Sequence, residues 1–178
     1  GIALEGTAIL AQDFYEVAQG LGLGAEELEE GRRVMAKVSV MPEAIVLADN
    51  GATAMHDVTR GGVLETLLEI AHLSNVGIEL EFDRLPIPSI VSRFAQAFQF
   101  DPLRMISSGT LAVTVPPARV TQASTALKEL GTPFAFVGRV TGGAGVRVFK
   151  GGAAIPHMEI RCEEDELARM WTLYPRGG

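Results

Sequence analysis

The sequence predicts a mixed α/β (α+β) domain in which helices cover a mixed sheet. Three observations predict it. Segments with apolar residues at every second position interleave with segments of helical apolar spacing. The two-period segments carry charged residues between their apolar ones, which argues against a fully buried parallel sheet. The 178 residues suit one domain, and a chain of this size buries roughly 70% of its unfolded surface without staples.

The elements follow in order. Leu10, Phe14, Val17 and Leu21 recur at helical spacing after Glu5-Gly6-Thr7. Gly20, Gly22 and Gly24 come after this helix and not after a strand, so they are expected to cap it and turn the chain, not to cradle a phosphate. Glu26, Glu27, Glu29 and Glu30 precede Arg32 and Arg33, the charge order of a short solvated helix. Pro42 opens another helix, which Gly51 ends. Thr53–Asp57 reads as a short buried strand, and Val63, Leu64, Leu67, Leu68 and Ala71 mark the helix after it.

Val76, Ile78, Leu80 and Phe82 alternate with Gly77, Glu79 and Glu81, which predicts an antiparallel or edge strand with one wet face. A helix over Ile90–Phe98, a strand over Leu111–Val115 and a helix over Val120–Leu130 follow. Phe134–Thr141 and Val146–Lys150 read as a hairpin around Gly142–Gly145, and Glu163–Trp171 as a final helix with acids in its first turn.

Composition excludes several classes. Apolar residues at 47% exclude disorder as the main state. A net charge of -7 argues against nucleic acid as a partner. The single cysteine, Cys162, excludes an internal disulfide framework and a cysteine-cluster metal site. His56, His72 and His157 lack metal-ligand spacing, so no metal site is expected. No apolar run reaches the roughly 18 residues of a membrane span, and the start lacks the basic region of a signal peptide. The expected location is the cytoplasm.

The strongest chemical signal is Met55-His56-Asp57-Val58-Thr59-Arg60-Gly61-Gly62, where a strand ends at Asp57 and a helix begins near Gly62. Such a turn aims helix N–H groups and the positive end of the helix dipole outward. Gly61 and Gly62 permit close backbone approach, Thr59 offers a hydroxyl and Arg60 a forked cation suited to phosphate. Asp57 needs a metal, a sugar hydroxyl or Arg60 to compensate it there. The alternative is a capped turn without a ligand, with Asp57 or Thr59 as the cap. A second signal is Ser107-Ser108-Gly109-Thr110, which is either a small anion nest or a polar turn entering a strand.

Taken together, Gly1–Ala8, His56–Gly62, and Asp101-Pro102-Leu103 followed by Ser107–Thr110 resemble the C-terminal domain of the aminoimidazole ribonucleotide (AIR) synthase-related superfamily, over roughly residues 1–150. The branch they most resemble is that of the hydrogenase maturation protein HypE. The resemblance implies a domain like the C-terminal domain of PurM, with partial ferredoxin-like topology. It also implies half of an ATP-dependent enzyme, for HypE one that dehydrates a carbamoyl group to supply cyanide ligands. By the resemblance, Asp57, Thr59, Arg60, Gly61 and Gly62 face the phosphate or substrate cleft, and Ser107, Ser108, Gly109 and Thr110 form its weaker edge.

ATP and Mg2+ would be held mostly by a preceding N-terminal domain, which also makes most of a homodimer. Hydrogenase maturation proteins are the implied further partners. The chain departs from the pattern at both ends. It begins where the C-terminal domain begins, which suggests an excised domain or a short paralogue that is inactive alone. It ends Tyr174-Pro175-Arg176-Gly177-Gly178, where HypE carries Pro-Arg-Ile-Cys. The other superfamily activities stand as alternatives: AIR synthase, selenophosphate synthetase and thiamine-monophosphate kinase. A non-catalytic module that binds an anion or a partner is a further one.

Overall fold

A computed structural model describes residues 1–37 and 39–175. The helices are α1 (Leu4–Asp13), α2 (Tyr15–Gly20), α3 (Ala25–Arg33), α4 (Met41–Asp49), α5 (Gly62–Ser74), α6 (Ser89–Phe98), α7 (Val120–Glu129) and α8 (Glu166–Leu173). The strands are β1 (Ala54–Asp57), β2 (Gly77–Glu81), β3 (Leu111–Thr114), β4 (Gly138–Thr141), β5 (Gly145–Lys150) and β6 (Ala153–His157). The predicted mixed α/β class holds, and none of the described helices is long and apolar enough to cross a membrane. Arg176, Gly177 and Gly178 of the divergent C-terminus lie outside the described residues.

β1 and β3 form an antiparallel ribbon, with Asp57 opposite Leu111. The other sheet has the order β4-β2-β5-β6, antiparallel except between β2 and β5. α5 links the two sheets. Its residues from Gly62 to Leu68 are buried without a break, because the helix lies between the ribbon and the mixed sheet. The main core joins α5 to Leu10, Leu28, Phe94, Phe98, Val146 and Met170. A satellite core gathers Leu47 of α4 with Ala123 and Leu127 of α7, and Leu111 and Val113 pack against it.

Three sequence expectations change. β1 is half exposed and not buried, because the ribbon has only two strands. β2 is an interior strand, and Glu79, expected on a wet face, is only 8% exposed. The pairing register explains how it is tolerated: Arg139 of β4 and Arg147 of β5 both lie opposite Glu79, and they donate to its two oxygens at 2.6 and 2.7 Å. A buried carboxylate is tolerated when it is paired in this way.

The same register replaces the expected β4–β5 hairpin. The short link from Thr141 to Gly145 arches over Gly77, and β2 lies between the two strands. A Cβ on Gly77 would come within 2.7 Å of the Thr141 hydroxyl, so that crossing requires glycine. β5 instead turns back through Gly151 and Gly152, at φ 55° and 82°, into β6. Two left-handed residues are the requirement of a tight type I′ hairpin.

Candidate functional site

The β1–β3 ribbon brings the two predicted site segments together. Its ladder runs on past Asp57, where the Val58 N–H donates to the Thr110 carbonyl at 2.9 Å. Val58 is fully buried and anchors the loop, while Asp57, Thr59 and Arg60 stay exposed. Gly61 and Gly62 are buried, with φ 76° and 69°.

Three backbone donors at the start of α5 have partners within the chain. The Gly61 N–H donates to Asp165 Oδ2 at 2.8 Å, Gly62 to the Thr59 carbonyl at 3.1 Å, and Leu64 to the Leu103 carbonyl at 3.0 Å. The side chains that the loop turns outward are those of Asp57, Thr59 and Arg60, the last 69% exposed. The Arg60 Nε stands 3.9 Å from Asp165 Oδ2, and its fork faces solvent.

The second segment is joined to the first motif of the chain. Ser107 is fully buried; its hydroxyl donates to the Met105 carbonyl at 2.8 Å and accepts from the Ala3 N–H at 2.7 Å. Both capacities of this hydroxyl serve the junction with α1. The Ser108 N–H donates to Glu5, Gly6 donates to the Ile106 carbonyl, and the Gly1 nitrogen donates to the Gly109 carbonyl at 2.8 Å. The Thr110 hydroxyl is buried without a hydrogen-bond partner. Residues 1–8, 56–62 and 101–110 thus converge on one corner of the domain.

His56 braces this corner from the ribbon side. Its Nε2 lies 2.9 Å from a Glu69 carboxylate oxygen on α5, and its Nδ1 lies 2.6 Å from the Asp57 carbonyl. The Cys162 thiol donates to Glu65 at 3.1 Å, and that carboxylate raises the thiol above the ordinary cysteine range. A thiol held in its neutral form is a poor nucleophile. Among the described residues no three histidine, cysteine, aspartate or glutamate side chains converge as metal ligands, so no step through Mg2+ is derived from them.

Sequence reasoning missed Asp165 and Glu5, whose carboxylates take the N–H groups of Gly61 and Ser108. A signal for Asp165 exists: it lies in the acidic run Glu163–Glu166 just before a helical stretch, the position of an N-cap. Its other oxygen accepts from the Ala168 N–H at 2.8 Å and caps α8.

Several known proteins are similar to this chain. The chain is 32% identical over 122 residues to the carbamoyl dehydratase HypE of Rhodobacter capsulatus, covering 65% of this chain and 36% of that protein. It is 36% identical over 103 residues to the thiamine-monophosphate kinase of Pyrococcus abyssi, covering 56% and 29%. The crystal structure of E. coli HypE superimposes with a TM-score of 0.70 at 26% identity, over 90% of this chain and 48% of that one. A HypE crystallised in complex with ATP has the same fold, with a TM-score of 0.65 at 21% identity over 92% and 50%. The chain thus spans about a third of the length of these sequence relatives and about half of the solved HypE chains. The family model for the AIR synthase related protein, C-terminal domain, matches residues 1–151, and this chain belongs to that family.

Proposed function

We propose that this chain is the C-terminal half of an ATP-dependent enzyme of the HypE type, and that its β1–α5 loop faces the phosphate or substrate cleft. One observation carries the reading. The three segments that carry the family resemblance meet at one corner, where the β1–α5 loop turns the side chains of Asp57, Thr59 and Arg60 to solvent. Arg60 would hold phosphate oxygens with its fork, and Thr59 would donate its hydroxyl. Asp57 would accept from a sugar or substrate hydroxyl, away from the phosphate charge. Ser108, Gly109 and Thr110 would form the weaker edge, with Ser107 holding that edge to α1.

ATP would bind mainly through an ATP-binding half, and Mg2+ held there would supply charge neutralisation for the phosphates. That half, a second copy and hydrogenase maturation proteins are the proposed partners, in the cytoplasm. The reaction proposed is dehydration of a carbamoyl group after its oxygen is phosphorylated. The thiamine-monophosphate kinase relative favours a second reading, phosphoryl transfer to a retained acceptor. Dehydration releases inorganic phosphate with ADP, whereas a kinase leaves the phosphate on its acceptor, so a phosphate-release assay on the chain paired with an ATP-binding half separates the two.

The loop itself is tested by titrating the chain with inorganic phosphate and following amide resonances. Thr59 and Arg60 are expected to shift, and Arg60→Ala to weaken binding about tenfold without unfolding the chain, because charge-assisted bonds are strong and an exposed cation adds little stability. Shifts clustered elsewhere would refute the assignment.

A further inference from the structure

The segment that follows β6 is rich in acidic side chains. It lies directly on the loop. Residues 163–166 read Glu-Glu-Asp-Glu, an unbroken acidic run. Among the contacts that dock its start are Cys162 to Glu65, Glu164 to Arg104 at 2.7 Å, Asp165 to the Gly61 N–H at 2.8 Å, and Glu166 to the Asp101 N–H at 2.9 Å. Asp165 is 3% exposed and its carboxylate is shared between two helix starts, Gly61 before α5 and Ala168 in α8.

We propose that residues 162–165 form a built-in latch on the loop, hinged at the start of α8, which Met170 keeps in the main core, with the Asp165 carboxylate as an internal anion that competes with phosphate. The proposal rests on the phosphate-facing reading of the loop. A carboxylate and a phosphate ask for the same partners, a backbone N–H at a helix start and a guanidinium. Asp165 already takes the Gly61 N–H and stands 3.9 Å from Arg60. While it stays, a phosphate engages only Thr59 and Arg60. When the latch lifts, the Gly61 N–H joins them. The docking is charge-complementary, since the acidic run meets Arg60 of the loop and Arg104 of the neighbouring 101–110 segment.

Asp165→Ser separates the two duties of the residue. Serine is a good N-cap for α8, yet it is neutral and too short to reach Gly61. The intact chain is titrated with inorganic phosphate and amide resonances are followed. In the unsubstituted chain, Thr59 and Arg60 are expected to respond and Gly61 not to. In Asp165→Ser, Gly61 should join them, with phosphate bound about tenfold more tightly. Asp165→Asn should fall between, because it keeps an acceptor and loses the charge. Far-ultraviolet circular dichroism checks that the helices persist.

A Gly61 resonance that shifts equally in all three chains overturns the latch. So does a Gly61 that stays silent in both variants while Thr59 and Arg60 respond, and that result leaves the loop assignment standing. No response anywhere in residues 57–62 refutes the loop assignment and the latch together. If Asp165→Ser does not fold, Asp165→Asn decides, and an affinity unchanged from the parent overturns the proposal.

Discussion

Replacing Gly62 with alanine should destabilise the domain more than replacing its neighbour Gly61, although both have positive φ. Both substitutions put a side chain in the left-handed region, at φ 76° for Gly61 and 69° for Gly62, which costs roughly 1–2 kcal/mol. The surroundings then separate them. A Cβ on Gly62 would lie 2.4 Å from the Leu103 carbonyl oxygen and 2.9 Å from the Arg104 carbonyl carbon. Both are backbone atoms, and the Leu103 oxygen already accepts from the Leu64 N–H, so no rotamer change relieves the clash. Overpacking of this kind adds about 1–3 kcal/mol. A Cβ on Gly61 meets the Glu65 side chain: its carboxylate end can swing away, while the Glu65 Cβ, 2.7 Å off, must give by a few tenths of an ångström. Gly62→Ala is therefore expected to cost roughly 2–5 kcal/mol and Gly61→Ala an amount in the lower part of that range. Urea unfolding followed by circular dichroism reads the difference as a shift in midpoint at constant slope. Equal costs, or a smaller one for Gly62→Ala, would refute the account of why the loop carries two glycines.

Ser107→Ala should cost about 1–3 kcal/mol, because it strands the buried Ala3 N–H and leaves the Met105 carbonyl without the hydroxyl. A loss below about 0.5 kcal/mol in urea would mean that the α1 junction does not depend on it. His157 lies below the ordinary histidine value, through burial first and then the nearby Arg104 charge. The unfolded chain therefore takes up that proton more readily, so stability is fullest above the ordinary value and declines as pH falls through it. Melting temperatures between about pH 8 and 5 should fall less steeply in His157→Gln, and parallel curves would contradict this.

The elements with strong local signals were legible in the sequence. The apolar face of α5, the Pro42 start of α4 and the turn at Gly61-Gly62 follow from spacing and glycine placement alone. Which strands pair was not legible. Glu79 reads as a solvent-facing residue because nothing local reveals that Arg139 and Arg147, some sixty residues away, will flank it. β6 was missed because Pro156 and the exposed Ala153-Ala154 carry no alternation, and an edge strand tolerates them. At the candidate site, the outward side chains were legible in the motif. The fate of the helix N–H groups was not, since Asp165 lies 104 residues from Gly61. A capping carboxylate can be recognised locally only for the helix that it begins.

The placement of β2 between β4 and β5 has a consequence for the order in which the domain assembles. Two adjacent strands joined by a short link ordinarily zip together within microseconds. Here that shortcut leads to the wrong neighbour, because β4 and β5 each pair with β2 and not with each other. The sheet can close only after a segment some sixty residues upstream, still attached to α5, has entered the gap. Such closure loses chain entropy before any ladder forms, so refolding should be slow for a chain of this length. A transient β4–β5 hairpin would be a trap that must open again, and changes at Glu79 or Gly77 should slow refolding more than they speed unfolding.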